Sequence, residues 1–329
     1  MNASMWIKAL QIIPHVNKDE WDRLDVISRW LISTRAAVLI MTFLSGAIAG
    51  ILAYQRGVFQ FLPWFLATLG IVFAHATNNL LNDYTDAARG VDQENYYRAQ
   101  YGPQPLLHGL MTRRQHLTYS AVTGGLALAI GIYLVLYRGG LTLPLLLAGA
   151  FFVLFYTWPL KYIALGELAV LVVWGPLMVG GVYYVMSGNW DWNVVLASLP
   201  YALGVTGVIF GKHIDKIDMD RAKRIYTLPV LLGEPLSRWT VVGMLVAQYL
   251  SVIYLVTTGF FSPILLVVLF ALPAFLRVLA IFRFPKPQEK PRDFPEVWPN
   301  YFVAAAFFHN RRFGLFYLAG LILGLIVRL

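Results

Sequence analysis

An all-α, polytopic membrane bundle is the fold class that this sequence predicts, on three observations. Only 13% of its 329 residues are charged, while 58% are hydrophobic; soluble domains carry roughly 25% charge. Mean hydropathy is +0.63. Apolar stretches long enough to cross a bilayer recur along the whole chain, and the segments between them hold most of the charge. There is no cysteine, which excludes disulfides, iron–sulfur clusters, thiolate zinc sites and a cysteine nucleophile. The six histidines, at 15, 75, 108, 116, 213 and 309, show no metal-ligand spacing.

Ahead of the first span, Asn17-Lys-Asp-Glu20 has the form of a capping box. Trp21, Leu24, Ile27, Trp30 and Leu31 then recur at helical spacing, which predicts an amphipathic helix in the membrane interface. No cleavable signal peptide is expected there. Spans follow at about 36–54, 59–81, 116–137, 141–156, 163–186 and 192–211, and then at 239–258, 262–284 and 313–327. Nine transmembrane helices in a single domain over 1–329 are therefore expected. Residues 1–35 form its interfacial segment. The five prolines of 285–299 mark a loop, and 297–308, too short to span, reads as interfacial or re-entrant.

Orientation follows from the basic residues. With the N-terminus in the cytoplasm, all but Arg56, Arg138 and Arg328 of the 26 Lys and Arg fall on the inner side. The net charge of +9 thus reads as topology, with no nucleic-acid partner expected. The lipid bilayer is the surrounding partner.

The second span ends in His75, Asn78, Asn79, Asn82, Asp83 and Asp86. At about 100° per residue these fall within an arc of roughly 140°, over roughly 16 Å of helix. Facing lipid they would be costly, so the stripe must turn towards the bundle interior or a wet cavity. One or two asparagines could serve interhelical hydrogen bonding, but six polar side chains exceed what packing needs. Asn82-Asp83-x-x-Asp86 continues through Arg89 and Gly90 to Asp92, with Gly90 giving the chain freedom to fold Asp92 back. Oxygen donors on adjacent turns suit a hard cation such as Mg²⁺, which takes one or two carboxylates and completes its shell with water and substrate phosphate.

A second acidic segment follows the sixth span. Between Lys212 and Arg224 lie Asp215, Asp218 and Asp220 among five cations, including Lys223. Two such loops on one membrane face suggest a diphosphate held between them through Mg²⁺, with metal and cations neutralising a departing pyrophosphate. The alternative is a solvated charge cluster with pairs such as Lys216–Asp220. Between the loops, Tyr156-Thr-Trp-Pro-Leu-Lys161 holds one cation, either a topology anchor or a phosphate contact.

Together, these blocks resemble the UbiA superfamily of intramembrane prenyltransferases, and within it the 1,4-dihydroxy-2-naphthoate polyprenyltransferases of menaquinone synthesis. The likeness runs in order through Asn82–Asp92, Gly102–Thr112, Tyr156–Pro159, Leu165–Leu168, Gly175–Gly180 and Thr227–Gly233. It implies a nine-helix bundle with a central cavity opening near the cytoplasmic face. It also implies Mg²⁺ and a prenyl diphosphate as donor, with an aromatic, quinone-precursor acceptor. Asn82, Asp83, Asp86, Asp215, Asp218 and Asp220 would be the metal set. Asp86, Asn82 and Lys161 would serve catalysis, with Asp83, Asp92, Arg89, Tyr156, Asp215, Asp218, Asp220, Lys223 and Arg224 around the substrate. The sequence departs from the family pattern in three places. Lys216 stands four before Asp220 where an aspartate is usual, Lys212-His213 replaces paired asparagines, and Gln104 stands where a basic residue is expected.

A transporter would place its polar residues near the midplane on broken helices, whereas these gather at helix ends. A CDP-alcohol phosphotransferase is disfavoured by the spacing after Asp86. A terpene cyclase would share the metal motifs and differ in the cavity.

Overall fold

Ahead of the first span lie three short helices instead of one. They are α1 (Ala3–Gln11), α2 (Lys18–Arg23) and α3 (Val26–Ser33) in the computed structural model, which describes residues 2–91, 97–100, 102–292, 294 and 297–326. The capping box forms as read: the Asn17 side chain accepts from the Glu20 amide, and the Glu20 carboxylate accepts from the Asn17 amide. The single amphipathic helix does not form, because the Asp25 side chain accepts from the Ser28 amide and starts a new helix. Trp21, Leu24 and Leu31 are buried while Ile27 stays exposed.

The bundle continues with α4 (Ile40–Gln55), α5 (Phe61–Ala88), α6 (Tyr97–Gln100), α7 (Arg113–Arg138) and α8 (Thr142–Phe155). Next come α9 (Gly166–Val172) and α10 (Gly181–Ser187), joined by the π-helical stretch Val173–Gly180. Pro176 lies inside that stretch; it has no N–H to give an α ladder, and wider turns absorb the break. The remaining helices are α11 (Trp192–Ile214), α12 (Ile217–Ala222), α13 (Leu228–Leu232), α14 (Glu234–Thr257), α15 (Leu272–Phe282) and α16 (Phe302–Ile326). A 3₁₀ segment, Pro263–Ala271, leads into α15.

Among the described residues, seven helical stretches are long and apolar enough to cross a membrane: 36–55, 61–88, 113–138, 166–187, 192–214, 234–257 and 263–282. This is an integral membrane protein. Two of the nine expected spans fall outside that set. α8 has only 14 residues. α16 has 25 but carries His309, Asn310, Arg311 and Arg312.

The C-terminal region corrects the reading of 297–308 as a separate interfacial or re-entrant piece. From Phe302 it is the first turns of one continuous helix. The polar quartet does not interrupt that helix, because each side chain finds a place compatible with it. His309 and Asn310 point inward, with the Tyr249 hydroxyl 2.8 Å from His309 Nε2. Arg311 and Arg312 lie outside, their guanidinium groups over the Phe307 and Phe308 rings.

Gly211 of α11 and Asp215, the residue that ends that helix one turn later, fix where α16 starts. A Cβ on Gly211 would lie 3.0 Å from the Phe302 backbone, so the glycine is needed for the helices to touch there. The Asp215 carboxylate then accepts from the amides of Phe302 and Val303 at 3.1 and 3.0 Å, capping α16. The acidic segments after α5 and α11 share one end of the bundle, where Val91 and Ile225 pack together.

Candidate active site

The polar stripe of α5 is one face, as its spacing requires. His75, Asn79, Asp83 and Asp86 are buried, and Asn78 and Asn82 are half-buried. Asn78 donates to the Val153 carbonyl of α8 (3.0 Å) and Asn82 to the Thr157 hydroxyl (3.1 Å), so the stripe faces the hairpin that follows α8.

Each buried carboxylate at this end meets a cation. Arg35 Nη2 lies 2.7 Å from Asp83 and also donates to the Asn79 carbonyl and to Asn82 Oδ1. Lys161 Nζ donates to both Asp86 oxygens at 2.9 Å. Lys216 Nζ donates to Asp220 at 2.7 Å. Burial alone would pull the Lys161 ammonium down, but the adjacent Asp86 carboxylate, and then Asp220, raise it above the ordinary lysine range. Lys161 is thus under the influence of both acidic segments.

Those segments are built alike. After Asp86 the chain turns through Gly90 at φ 68°, and the Val91 amide returns to the Asp86 carbonyl (2.8 Å). After Asp220 it turns through Arg224 at φ 57°, and the Ile225 amide returns to the Asp220 carbonyl (2.9 Å). Both are left-handed helix terminations, one with the glycine they favour and one without it. The residues ending the two turns, Val91 and Ile225, pack in one cluster with Tyr97, and Tyr162 covers them. Ile163 forms a parallel bridge with Tyr226. The hairpin carrying Lys161 therefore sits between the two acidic turns and ties them together.

Other candidates lie differently. Asp215 is taken up by the α16 cap and by Lys286, 3.2 Å away; burial pushes its carboxyl up to about 6 against the pull of that lysine and both amides. The Asp218 side chain is 94% exposed beside Arg221. Asp220 is the carboxylate of this segment whose charge acts on Lys161. The Arg89 guanidinium covers the Trp158 and Tyr162 rings at 5.3 and 5.1 Å. Lys223 is half-buried and Arg224 exposed. Asp92 falls outside the described residues. Gln104, where a basic residue was expected, is buried: it donates to the Asp83 carbonyl and accepts from the amides of Leu106 and Leu107.

Sequence reasoning missed two partners. Arg35 reads as one more inner-side charge before the first span; being the last cation before a long apolar stretch was the available signal. Glu167 and His213 form a buried pair 2.5 Å apart, joining α9 to α11. The His213 departure from paired asparagine was the clue.

Beneath the polar end lies a chamber of about 1610 Å³. Arg35, Asn78, Asn79, Asn82, Tyr156 and Lys212 border it on one side, and its deeper wall is apolar, with Leu134, Leu145, Met178, Val182 and Val185. Its shape and chemistry suit an amphipathic molecule with a polar head and a long hydrocarbon tail.

Fold and site together define an integral-membrane helical bundle whose apolar chamber is bordered by Arg35 and the asparagines of the α5 stripe, beside the paired acidic turns. The chain belongs to the UbiA prenyltransferase family, which it matches over residues 43–311. It is similar to the UbiA prenyltransferase domain-containing protein 1 homolog of Drosophila melanogaster, 26% identical over 226 residues, 65% of this chain and 59% of that protein. It is also 28% identical over 218 residues to the 1,4-dihydroxy-2-naphthoate octaprenyltransferase of Escherichia coli, covering 64% of this chain and 70% of the relative. The match thus spans less than two thirds of the animal relative's length. Among solved structures, an apo UbiA homolog from Aeropyrum pernix superimposes with a TM-score of 0.63 at 20% identity, covering 87% of this chain and 97% of that one. A UbiA homolog from Archaeoglobus fulgidus bound to DMAPP and Mg²⁺ gives 0.56 at 14% identity, covering 89% and 99%.

Proposed function

We propose that this chain transfers a prenyl group from a polyprenyl diphosphate to an aromatic acceptor, a quinone precursor such as 1,4-dihydroxy-2-naphthoate. The observation that carries the reading is the meeting of two acidic turns, with Lys161 between them, beside an apolar chamber that Arg35, Asn79 and Asn82 border. The enzyme would be a nine-helix bundle, with α8 and α16 as the two spans beyond the seven apolar ones. Its N-terminus and the chamber mouth would face the cytoplasm, in keeping with the basic-residue bias. Family membership and the likeness to the octaprenyltransferase support this choice of chemistry.

The donor set fits Mg²⁺. Asn82, Asp83, Asp86 and Asp220 offer hard oxygen atoms, and among the described residues no group of three or more His, Cys, Asp or Glu could hold a metal unaided. Phosphate oxygens and water would complete the shell. Bound there, the ion would offset charge building on the pyrophosphate as the allylic C–O bond breaks. Arg35 and Lys161, now on Asp83 and Asp86, have arms long enough to turn to the diphosphate. The apolar wall holds the prenyl chain and keeps water from the allylic cation until the electron-rich ring attacks. Each buried CH₂ contributes on the order of 0.8 kcal/mol, which favours long tails.

The test is incubation of purified protein with Mg²⁺, a series of prenyl diphosphates and candidate acceptors, following products by mass. An acceptor-plus-prenyl mass is expected; a rearranged prenyl product without acceptor would indicate cyclisation. Asp86→Ala should abolish turnover with helicity unchanged, and near-normal turnover in that variant would remove Asp86 from the site.

A further inference from the structure

We infer that His75 binds a ring hydroxyl of the aromatic acceptor, in a subsite of the chamber beneath the diphosphate end. The inference rests on the prenyl-transfer reading and extends it to the place and orientation of the second substrate.

His75 opens the polar stripe of α5 but stands apart from the rest of it. It lies two helical turns before Asn82, roughly 10 Å along the axis. The other stripe residues are engaged with neighbouring elements. Asn78 donates to the Val153 carbonyl and Asn79 to the Thr34 carbonyl, while Arg35 and Lys161 meet the two aspartates. His75 is 8% exposed and borders the chamber. Its Nδ1 is 2.7 Å from the Thr42 hydroxyl of α4. Among the described residues its Nε2 has no hydrogen-bond partner, and it is not enclosed by packing either, so it is presented to the chamber.

The ring is held as well as placed. Its centroid lies 5.1 Å from that of the Trp174 indole, with the planes at 90°. Trp174 belongs to the π-helical stretch that Pro176 widens, and the Ser45 hydroxyl donates to its carbonyl at 3.2 Å. It too borders the chamber. One turn deeper on the same two elements, the bordering residues are Ile71 and Met178. An imidazole nitrogen and an indole ring thus form a polar, aromatic step in a wall that turns apolar just beyond it.

A prenyl tail offers this nitrogen nothing, and a polar group facing hydrocarbon gives up the hydrogen bond it makes in water. A diphosphate gripped at Asn82, Asp83 and Asp86 stays about two helical turns away. The acceptor must bring a ring carbon against the allylic carbon next to the diphosphate, and it is the substrate that carries oxygen to this depth. With Nδ1–H turned to Thr42, Nε2 is an acceptor, and a ring hydroxyl donates to it. That hydrogen bond raises electron density in the ring that attacks the allylic cation, while Trp174 gives the flat ring an aromatic neighbour.

The experiment is steady-state kinetics of the detergent-purified protein with Mg²⁺ and farnesyl diphosphate. The acceptors are 1,4-dihydroxy-2-naphthoate and its two mono-O-methyl ethers. His75→Phe keeps a ring against Trp174 and loses the nitrogen. Its acceptor KM should rise about tenfold or more, as for a site deprived of its hydrogen bond to a substrate hydroxyl, with the farnesyl diphosphate KM within about twofold of wild type. For one of the ethers, wild-type kcat/KM should fall about tenfold or more below that of the parent acceptor; in His75→Phe the same pair should differ by less than about threefold. Thr42→Val, similar in shape without the hydroxyl, frees the imidazole and should raise the acceptor KM about threefold. It decides the matter if His75→Phe fails to bind geranyl S-thiolodiphosphate. An acceptor KM unchanged in both variants, a donor KM that rises in step with it, or an ether penalty of equal size with and without His75 would each overturn the inference and leave prenyl transfer standing. Wild-type protein that prenylates none of the acceptors would bring down the underlying reading and the inference with it.

Discussion

Lys161 shows how a single residue can be ambiguous in sequence and constrained in space. In the chain it is one cation in a short turn, and topology accounts for it. In the fold it is 4% exposed and donates twice to Asp86, with Asp220 also raising its affinity for a proton. Because that affinity is raised, the stability gained from the pair is fully present below the ordinary lysine value of about 10.4 and lost only as pH climbs through the higher folded value. No inflection assignable to Lys161 should therefore appear in the pH–rate profile between about pH 6 and 10. Lys161→Met should lower kcat/KM by about a hundredfold or more, the loss of a charged contact worth roughly 3 kcal/mol, with the shape of the profile unchanged. A profile whose alkaline limb disappears in the variant would show that Lys161 titrates within that range. The α5 stripe, by contrast, was legible residue by residue, because helical period alone puts Asn82, Asp83 and Asp86 on one face. Arg35 was not: nothing local says that a cation 48 positions before Asp83 will reach it.

At the scale of elements, the second acidic segment was misjudged for a similar reason. Its three aspartates sit within six residues, and spacing treats them as interchangeable. Their fates are set by where α16 begins and how the chain leaves α11, both of which are long-range outcomes. The separation of 297–308 from the last span failed because hydropathy penalises His309 to Arg312, whereas the fold buries two of them and lets the other two stack on neighbouring phenylalanines. The docking of α16 yields a prediction. Asp215→Ala removes both acceptors at its first turn and should destabilise the protein by about 1–2 kcal/mol, seen as a lower melting temperature in detergent and faster proteolysis after Arg283. Turnover at low temperature should persist, whereas Asp220→Ala should lose it. An Asp215→Ala protein with normal melting and no turnover would mean that this carboxylate works at the substrate and that its capping role is incidental. The parallel build of the two turns, Asp86 to Val91 and Asp220 to Ile225, was visible in sequence only as two acidic loops on one membrane face. Glycine marks the first turn, but Arg224 gives no sign of the second.

The whole molecule answers a question that neither residues nor elements can, namely how much prenyl chain it accepts. The chamber is larger than the roughly 300–1,000 Å³ of ordinary small-molecule pockets, at about 1610 Å³, and five of its bordering helices, α5, α7, α8, α9 and α10, contribute small or aliphatic residues below the polar head. Gly149 of α8 lines it, and a Cβ placed there meets no other atom within 4 Å. A large side chain at that position would therefore enter the chamber instead of pressing on a neighbouring helix. Gly149→Trp should leave the acidic turns and the diphosphate end untouched while shortening the space for the tail. With a series of prenyl diphosphates of increasing length, kcat/KM should fall steeply for the longer donors and stay within about threefold of wild type for the shortest, a change below the roughly 1.4 kcal/mol of a tenfold effect. If all donors lose activity in parallel, the tail does not lie along α8. If none does, the tail leaves the chamber for lipid before reaching that depth, and the length of donor used is set by the membrane and not by this wall.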